Sequence, residues 1–216
     1  IFIDLNSYGI TFVASDSHKM VRYRRKDVQG DSESSFILPK KPATLLKNIL
    51  AKETGSIVVD FDSKNARVTM ANYTLICRLV EGTYPNYSAV IPTNNPNKMI
   101  IDRVEVYNAL RRVSIYSNAA SNLIKLSLTG NQCVVSAQDL DFSVSAYERL
   151  KCEYEGEDME IGFKSAFLVE ILANLSSSDI VLSMSDPSRA GLLFPNTNEN
   201  PDEDVLMLLM PMMIGA

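Results

Sequence analysis

The hydrophobic positions of this chain repeat, without a gap, at an offset of 123 residues. In the first of four blocks, Ile1 and Ile3 align with Ile124 and Leu126. The other three blocks open with the aligned pairs Ile10 and Cys133, Lys41 and Lys164, and Ile57 and Ile180. Four blocks in one register predict two copies of one domain architecture. Such repetition favours a scaffold over a single catalytic cleft.

Each copy is predicted to run strand, turn, strand, loop, strand, helix and then three more strands. Helices are expected at 42–51 and 165–175, where apolar residues recur at helical spacing. A further helix is expected at 102–118, because it opens with a capping-box pattern. The offset places the counterpart of this helix before Ile1, so the chain is expected to be a fragment of a longer protein.

Two segments rich in Pro and Asn, 81–87 and 91–96, indicate a linker between the copies. The predicted domains are therefore 1–93 and 94–216. Each complete copy is expected to be an α+β domain, with an antiparallel sheet outside and helices on one inner face. Segment 196–204 breaks the register of the repeat and is expected to be a surface loop.

Composition excludes several classes of protein. With 216 residues, 46% of them hydrophobic, the chain can bury two ordinary cores. Cys77, Cys133 and Cys152 form no CxxC pair and lie in strand-like runs, which predicts buried or half-buried free thiols. The longest apolar stretch, 205–214, is too short to span a membrane, and no segment of the given sequence looks like a signal peptide. We therefore expect a cytoplasmic protein without a membrane, cofactor or metal.

The net charge is −5, but the charges are unevenly placed. Acidic residues cluster in predicted turns and loops, whereas basic residues gather at 22–26, at 40–52 and at 103–112. The last two groups lie on predicted helices. A basic helical face within an acidic protein suits the DNA backbone, held without sequence readout. A solvated helix face is the equally simple alternative.

Several segments resemble one family in order and spacing. They are Ala14 to Met20, Leu38 to Lys41, Leu79 to Tyr87, Met159 to Phe163 and Leu208 to Met212. The family is that of the bacterial DNA polymerase III beta subunit, the sliding clamp. The resemblance implies three copies of the clamp domain per full chain and two chains in a ring around duplex DNA. This chain would then hold most of the second domain and all of the third.

The resemblance also implies which side chains face the duplex, through contacts to phosphates that do not read the sequence. The DNA-binding candidates are Lys40, Lys41, Lys47, Arg103, Arg111 and Lys164. In the family, Ile115 and Tyr116 would form the apolar contact that closes the ring of a homodimer, with Glu148 available for salt bridges. Without a first domain, the chain is not expected to close that ring alone.

In this family a peptide of the form Gln-x-x-Leu-Phe docks into an apolar pocket between the second and third domains. The resemblance implies that the DNA polymerase III alpha subunit, the clamp loader and repair polymerases bind in this way. The pocket residues carried over are Ser15, Ser17, His18, Lys19, Met20, Pro85, Val90, Phe167, Ser188, Ala190, Leu208, Leu209, Met210, Pro211 and Met212. Flexible methionine side chains can accept several related peptides.

Several alternatives and departures stand beside this interpretation. A methionine-rich terminal strand is more often core than pocket, and His18 is by default a turn residue. Departures from the family pattern at Ser17, Ala89 and Met213 can shift peptide preference. A hydrolase is disfavoured, because one histidine and no phosphate loop or metal cluster are present. A peptide-binding adaptor that never surrounds DNA is the stronger rival, and DNA affinity would separate the two.

Overall fold

The computed structural model of the chain describes residues 1–214, which fold as two compact units. The first unit comprises 1–15 and 22–87, and the second comprises 16–21 and the chain from 88 onward. The division after residue 87 falls a few residues before the boundary predicted at 93/94. The short segment 16–21 also joins the second unit, which the sequence does not indicate.

The first unit contains one α-helix and two antiparallel sheets. Its elements are β1 (Phe2–Asn6), β2 (Gly9–Ser15), β3 (Lys19–Arg25), β4 (Ser34–Ile37), α1 (Lys40–Leu50), β5 (Val58–Phe61), β6 (Asn65–Thr69) and β7 (Thr74–Arg78). The first three residues of β3 are counted with the second unit. The sheets have the orders β3-β2-β1-β4 and β5-β6-β7. Leu46 on α1 packs with Ala66 and Val68 on β6 in a small core.

Up to residue 214, the second unit contains two α-helices and two sheets. Its elements are β8 (Asn97–Asp102), α2 (Arg103–Val113), β9 (Leu123–Thr129), β10 (Gln132–Asp139), β11 (Val144–Lys151), β12 (Glu153–Glu155), β13 (Met159–Lys164), α3 (Ser165–Ala173), β14 (Asp179–Met184), β15 (Gly191–Pro195) and β16 (Glu203–Leu209). The sheet orders are β12-β8-β14-β15-β16 and β11-β10-β9-β13. The helices contact each other and cover one large core that includes Leu110 and Phe163.

Local sequence signals explain where the helices begin and end. The side chain of Asp102 accepts a hydrogen bond from the backbone N–H of Glu105 at 2.6 Å, which is the N-terminal half of the predicted capping box. Helix α2 ends at Val113, earlier than predicted, and a 3₁₀ helix, Ser114–Tyr116, follows it. The other predicted helices agree with α1 and α3 to within two residues at each end. The predicted α+β class is confirmed.

Strand β8 was not predicted, because its residues follow directly on the Asn-rich segment. Met99 and Ile101 are buried and alternate with the less buried Lys98, Ile100 and Asp102, and this alternation was the signal for it. The segment 196–202 connects β15 to β16, as expected of a surface loop. Cys133 and Cys152 are buried and Cys77 is half-buried, all as free thiols. None of the helices formed by residues 1–214 has the length and apolar character needed to cross a lipid bilayer.

Candidate functional site

The tight turn between β2 and β3 places the first candidate side chains. The carboxylate oxygen Oδ1 of Asp16 accepts hydrogen bonds from the backbone N–H groups of His18 at 3.1 Å and Lys19 at 2.9 Å. Between them, Ser17 has a left-handed backbone, with φ of 73°. This geometry is an Asx turn, which Asp supplies with its side chain. It leaves His18 exposed at the end of the turn.

The charge on Lys19 is shared by two carboxylates. Its ammonium nitrogen Nζ lies 2.6 Å from Oδ2 of Asp16 and 3.4 Å from Oε2 of Glu170 on α3. Desolvation by itself raises the pKa of Asp16, but the hydrogen bonds from Lys19 and His18 outweigh it and lower that pKa to about 2. The hydrogen bond with Asp16 in turn raises the pKa of Lys19. The Asp16 carboxylate and the Lys19 ammonium are therefore both charged at neutral pH, and their hydrogen bonds fix the shape of the turn.

The ring of Phe167, in the first turn of α3, lies at the centre of this cluster. The His18 imidazole stacks near it, with ring centroids 5.9 Å apart and an interplanar angle of 26°. The ammonium of Lys19 lies 4.4 Å from the ring centroid, and that of Lys164 lies 5.0 Å from it. Phe167 is half-buried. The arrangement joins an apolar surface to two cations.

The last strand and the residues after it bring methionines to the same turn. The backbone N–H of Met210 donates to the carbonyl oxygen of His18 at 2.9 Å, and the Met210 side chain is 41% exposed. Further on, the N–H of Met212 donates to the carbonyl oxygen of Gly162 at 2.8 Å. A Cβ at Gly162 would lie 2.7 Å from the Met212 carbonyl oxygen, so this close approach requires glycine. We call His18, Lys19, Phe167 and Met210 the Phe167 surface.

Four of the predicted pocket residues are packed inside the protein. Leu208 and Leu209 are buried, and Leu209 belongs to the core of the second unit. Met20 and Ala190 are buried as well. A side chain without accessible surface cannot contact a peptide unless the structure rearranges. In this structure, Leu209 and Met20 therefore do not form the accessible apolar wall that the sequence suggests.

The remaining pocket candidates are accessible but not all beside Phe167. Val90 lies on the 3₁₀ helix Tyr87–Val90 and is exposed. Ser188 is exposed in a turn where its backbone N–H and hydroxyl donate to Oδ1 of Asp186, at 2.8 Å and 2.5 Å. Pro211 and Met212 are half-buried. Two further candidates, Ser15 and Pro85, are exposed residues of the first unit.

The predicted DNA-binding residues fall into different environments. Lys40 and Lys41 are exposed in the first turn of α1, and Lys47 is exposed in its last turn. Helix α1 has no acidic residue in that first turn, and Pro39 at its N-cap provides no side-chain hydrogen bond. Arg111 is exposed and lies 5.6 Å from the ring centroid of Tyr107.

Two members of the predicted DNA-binding group make contacts within the second unit. The guanidinium of Arg103 donates to the backbone carbonyl oxygen of Ser177 at 2.8 Å and to that of Leu172 at 3.4 Å. The Arg103 side chain is half-buried and donates hydrogen bonds to backbone carbonyl groups at and after the end of α3, so it stabilises the fold. The ammonium of Lys164 lies 5.0 Å from the Phe167 ring centroid, next to the Phe167 surface. Sequence spacing could not show the placement of Arg103, because its contacts join residues about seventy positions apart.

The proposed ring contact is exposed, but its acidic member already has a partner. Ile115 is 78% exposed and Tyr116 is also exposed, on the 3₁₀ helix after α2. Glu148 accepts two hydrogen bonds of 2.7 Å from the guanidinium of Arg112, and this pairing lowers the pKa of Glu148. Sequence reasoning missed Phe142, which is exposed on the turn between β10 and β11. An apolar residue within a turn was the available signal.

Repeated α+β units that carry an exposed apolar and basic surface define a binding scaffold. The model of the DNA polymerase III beta subunit, central domain, matches residues 1–86. That of the DNA polymerase III beta subunit, C-terminal domain, matches residues 88–213. The chain therefore belongs to the DNA polymerase III beta subunit family.

Individual relatives agree with this assignment. The beta sliding clamp of Pseudomonas putida is 24% identical over 213 residues, which are 98% of this chain and 57% of the relative. The crystal structure of the DnaN sliding clamp from Bartonella birtlesii bound to griselimycin has a TM-score of 0.90 and 29% identity, covering 99% of this chain and 57% of that one. The corresponding Pseudomonas aeruginosa structure has a TM-score of 0.91 at 24% identity, covering 99% of this chain and 57% of that one. This chain thus spans little more than half the length of these relatives.

Proposed function

We propose that this chain is part of a DNA polymerase processivity factor, a sliding clamp that encircles duplex DNA and tethers proteins to it. The observation that carries the proposal is the match of both halves of the chain to consecutive domains of one clamp family. Because the chain spans 57% of its curated relative, the activity belongs to the full-length protein. That protein would act in the cytoplasm as a homodimeric ring.

Exposed cations on the helices support an electrostatic contact with DNA. Lys40 and Lys41 place two positive charges at the N-terminal end of α1, where the helix dipole disfavours them. A DNA phosphate would offset the unfavourable position of these charges, since it is an anion that attracts both lysines and accepts hydrogen bonds. We assign Lys40, Lys41, Lys47 and Arg111 to this contact and leave Arg103 out of it.

The Phe167 surface supports a second role as a docking site for linear peptides. It combines a half-buried aromatic ring, an exposed methionine and a turn fixed by Asp16. The apolar end of a Gln-x-x-Leu-Phe peptide could pack on Phe167 and Met210, where flexible thioether contacts tolerate related sequences. The expected ligands are the DNA polymerase III alpha subunit, the clamp loader and repair polymerases.

A non-catalytic role fits the arrangement of the Asp16-Ser17-His18 segment. The two carboxylate oxygens of Asp16 bind backbone N–H groups and the Lys19 ammonium. Asp16 therefore does not orient the imidazole of His18, which a catalytic triad requires. We infer an accessory subunit that holds other proteins to DNA and carries out no reaction itself.

The ring interface is the third part of the proposal. Ile115 and Tyr116 present exposed apolar and aromatic surface, which is typical of residues that anchor an interface. Glu148 would join an intermolecular salt bridge only by sharing or leaving its bidentate partner Arg112. We therefore expect Ile115 and Tyr116 to contribute more to ring closure than Glu148.

Fluorescence polarisation of a labelled Gln-x-x-Leu-Phe peptide, titrated with the whole chain, tests the docking role. We expect saturable micromolar binding. Truncation of the exposed Met210 in Met210→Ala should weaken it about fivefold or more, as removal of an anchor contact does. Leu140→Ala is the matched control, because Leu140 is also exposed and lies on the turn after β10, outside the proposed set.

The control should change the dissociation constant by less than about twofold. A folded sample that shows no saturable binding would remove the docking role. Equal weakening by the two variants would show that the peptide does not use Met210.

A further inference from the structure

Large apolar side chains are exposed on neighbouring elements of the second unit. Leu140 and Phe142, on the turn between β10 and β11, are 79% and 78% exposed. Ile115 and Tyr116 are exposed on the 3₁₀ helix Ser114–Tyr116, and this helix contacts both β10 and β11. Exposed apolar side chains that are grouped in this way are typical of a surface that binds another protein.

The turn between β10 and β11 has a defined shape. The backbone N–H of Asp141 donates a hydrogen bond to Oδ1 of Asp139 at 3.0 Å. The backbone N–H of Ser143 donates to the carbonyl oxygen of Leu140 at 3.3 Å. Asn118, which follows the 3₁₀ helix, places its side-chain amide nitrogen 3.2 Å from Oδ2 of Asp141. A partner would therefore meet a surface that needs little ordering on binding.

The sequence repeat indicates what this turn binds. Asp139 aligns with Asp16, so the turn corresponds to the one between β2 and β3. That earlier turn is counted with the second unit, where Lys19 lies 3.4 Å from Glu170 on α3. The N–H of Met210, after β16, donates to a backbone carbonyl oxygen of the same turn. The repeat predicts that the turn between β10 and β11 packs on the corresponding elements of a further clamp domain, which a second copy of the full-length chain would supply.

The two turns differ at the residues that would meet such a domain. Leu140 aligns with Ser17, and Phe142 aligns with Lys19, whose ammonium lies within ion-pair distance of two carboxylates. Salt weakens an accessible contact between charges, because it screens them. Burial of an apolar ring does not depend on charge and is not screened.

We propose that Leu140 and Phe142 close the junction between two full-length copies by apolar packing, and that this packing makes the ring resistant to salt. The proposal rests on the proposed ring interface and specifies its chemistry. The exposed Ile115 and Tyr116 would extend the same apolar contact. Asp141 is the exposed acidic residue of the turn, and an ion pair between its carboxylate and a cation of the second copy is the alternative.

The test uses the full-length protein without DNA. Energy transfer between labelled copies, followed on dilution, measures the dissociation constant of the homodimer at about 0.1 M and about 1 M NaCl. Over this range the Debye length falls from about 10 Å to about 3 Å. We expect the dissociation constant to change by less than about threefold, because apolar packing closes the junction.

Variants identify the side chains responsible. Leu140→Ser with Phe142→Ser should raise the dissociation constant about tenfold or more, because a few buried anchors carry most of the affinity of an interface. Phe142→Leu keeps an apolar side chain and should stay within about threefold of the unaltered protein. Asp141→Asn removes the charge from the same turn and should have no effect. Val104→Ser is the matched control, since Val104 is an exposed apolar residue on α2 of the same unit.

The outcomes separate this proposal from the ring itself. A homodimer that weakens about tenfold or more at the higher salt, or in Asp141→Asn, would assign the junction to ionic contacts and overturn the apolar packing while leaving the ring intact. A double serine variant that dimerises like the unaltered protein would also overturn it, as would an equal loss in Val104→Ser. An unaltered protein that stays monomeric at every concentration would overturn the ring interface as well.

Discussion

Asp16 determines the shape of the turn that carries His18 and Lys19. The hydrogen bonds that Asp16 accepts stabilise the anionic form of its carboxylate. They lower its pKa from 3.8 to about 2. A carboxyl group with a depressed pKa in the folded state contributes stability above its unfolded pKa. That contribution is lost as pH falls from about 4 toward about 2. Acid should therefore loosen this turn.

Asp16→Asn tests this dependence. We expect the variant to lose the ion pair with Lys19 and so to be less stable than the unaltered chain at pH 7. The difference should narrow as pH falls from about 4 toward about 2, because the native carboxyl is then protonated too. Urea denaturation at a series of pH values measures it. Asp31→Asn is the control for a loop aspartate, and a difference that stays constant below pH 4 would contradict the assignment.

At single residues, the sequence predicted chemistry better than accessibility. It identified His18, whose imidazole lies 5.9 Å from the Phe167 ring and whose carbonyl oxygen accepts a hydrogen bond from the N–H of Met210. It could not separate Met210 from Leu209, because only the folded structure shows that β16 ends at Leu209, the last of three successive buried residues, and that Met210 lies beyond it. The inward placement of Arg103 likewise depends on carbonyl groups about seventy residues away.

Corresponding elements of the two units differ in how deeply their apolar side chains are buried. Helices α1 and α3 align in the repeat, yet Leu45 on α1 is 47% exposed whereas Leu168 on α3 is 2% exposed. The same holds for strands, since Val58 on β5 is 57% exposed and its counterpart Val181 on β14 is 7% exposed. In the second unit, α2 packs against α3, and β8 pairs with β14. The described residues of the first unit form no equivalent of α2 or β8.

This difference predicts unequal responses to one substitution. Leu168→Ala should lower the free energy of unfolding by about 2–5 kcal/mol, because it leaves a cavity in a packed core. Leu45→Ala, at the aligned position, should lower it by less than about 1 kcal/mol. Urea denaturation measures both effects. Hydrogen exchange should accompany it, since two units need not unfold together.

A similar loss of stability in the two variants would contradict the conclusion that other elements bury α3 more completely than α1. The sequence repeat alone would have predicted equal effects, since both leucines occupy the apolar stripe of their helix. Periodicity assigns a face to a helix, but burial depends on whether another element lies on that face. The repeat thus predicted the type of α1 and α3 correctly, while the burial of their apolar sides could not be read from it.

At the scale of the whole molecule, charge separates the clamp from its closest rival, the peptide adaptor. The net charge of −5 repels DNA in general, so any affinity must come from local groups of cations. The acidic turns and loops identified in the sequence would keep DNA from other surfaces. A peptide adaptor does not require two lysines at the start of α1, where the helix dipole disfavours their positive charge.

The double charge reversal Lys40→Glu with Lys41→Glu therefore tests the clamp function. Binding of the whole chain to a labelled DNA duplex of random sequence is measured by fluorescence polarisation at several salt concentrations. We expect weak binding that the reversal abolishes or strongly reduces. The slope of log K against log salt concentration should become shallower by about 2, because two phosphate contacts are lost.

The control for this experiment is Lys64→Glu with Lys98→Glu, which changes the net charge by the same amount at two exposed lysines, one in the turn between β5 and β6 and one on β8. If the loss of affinity came from net charge alone, the two double variants would bind DNA equally weakly. A smaller effect of the control would locate the contact at α1, because a local group acts within about one Debye length, roughly 10 Å at moderate salt. A chain that binds peptide normally but shows no salt-dependent DNA affinity would instead favour the adaptor, since docking at the Phe167 surface does not require DNA.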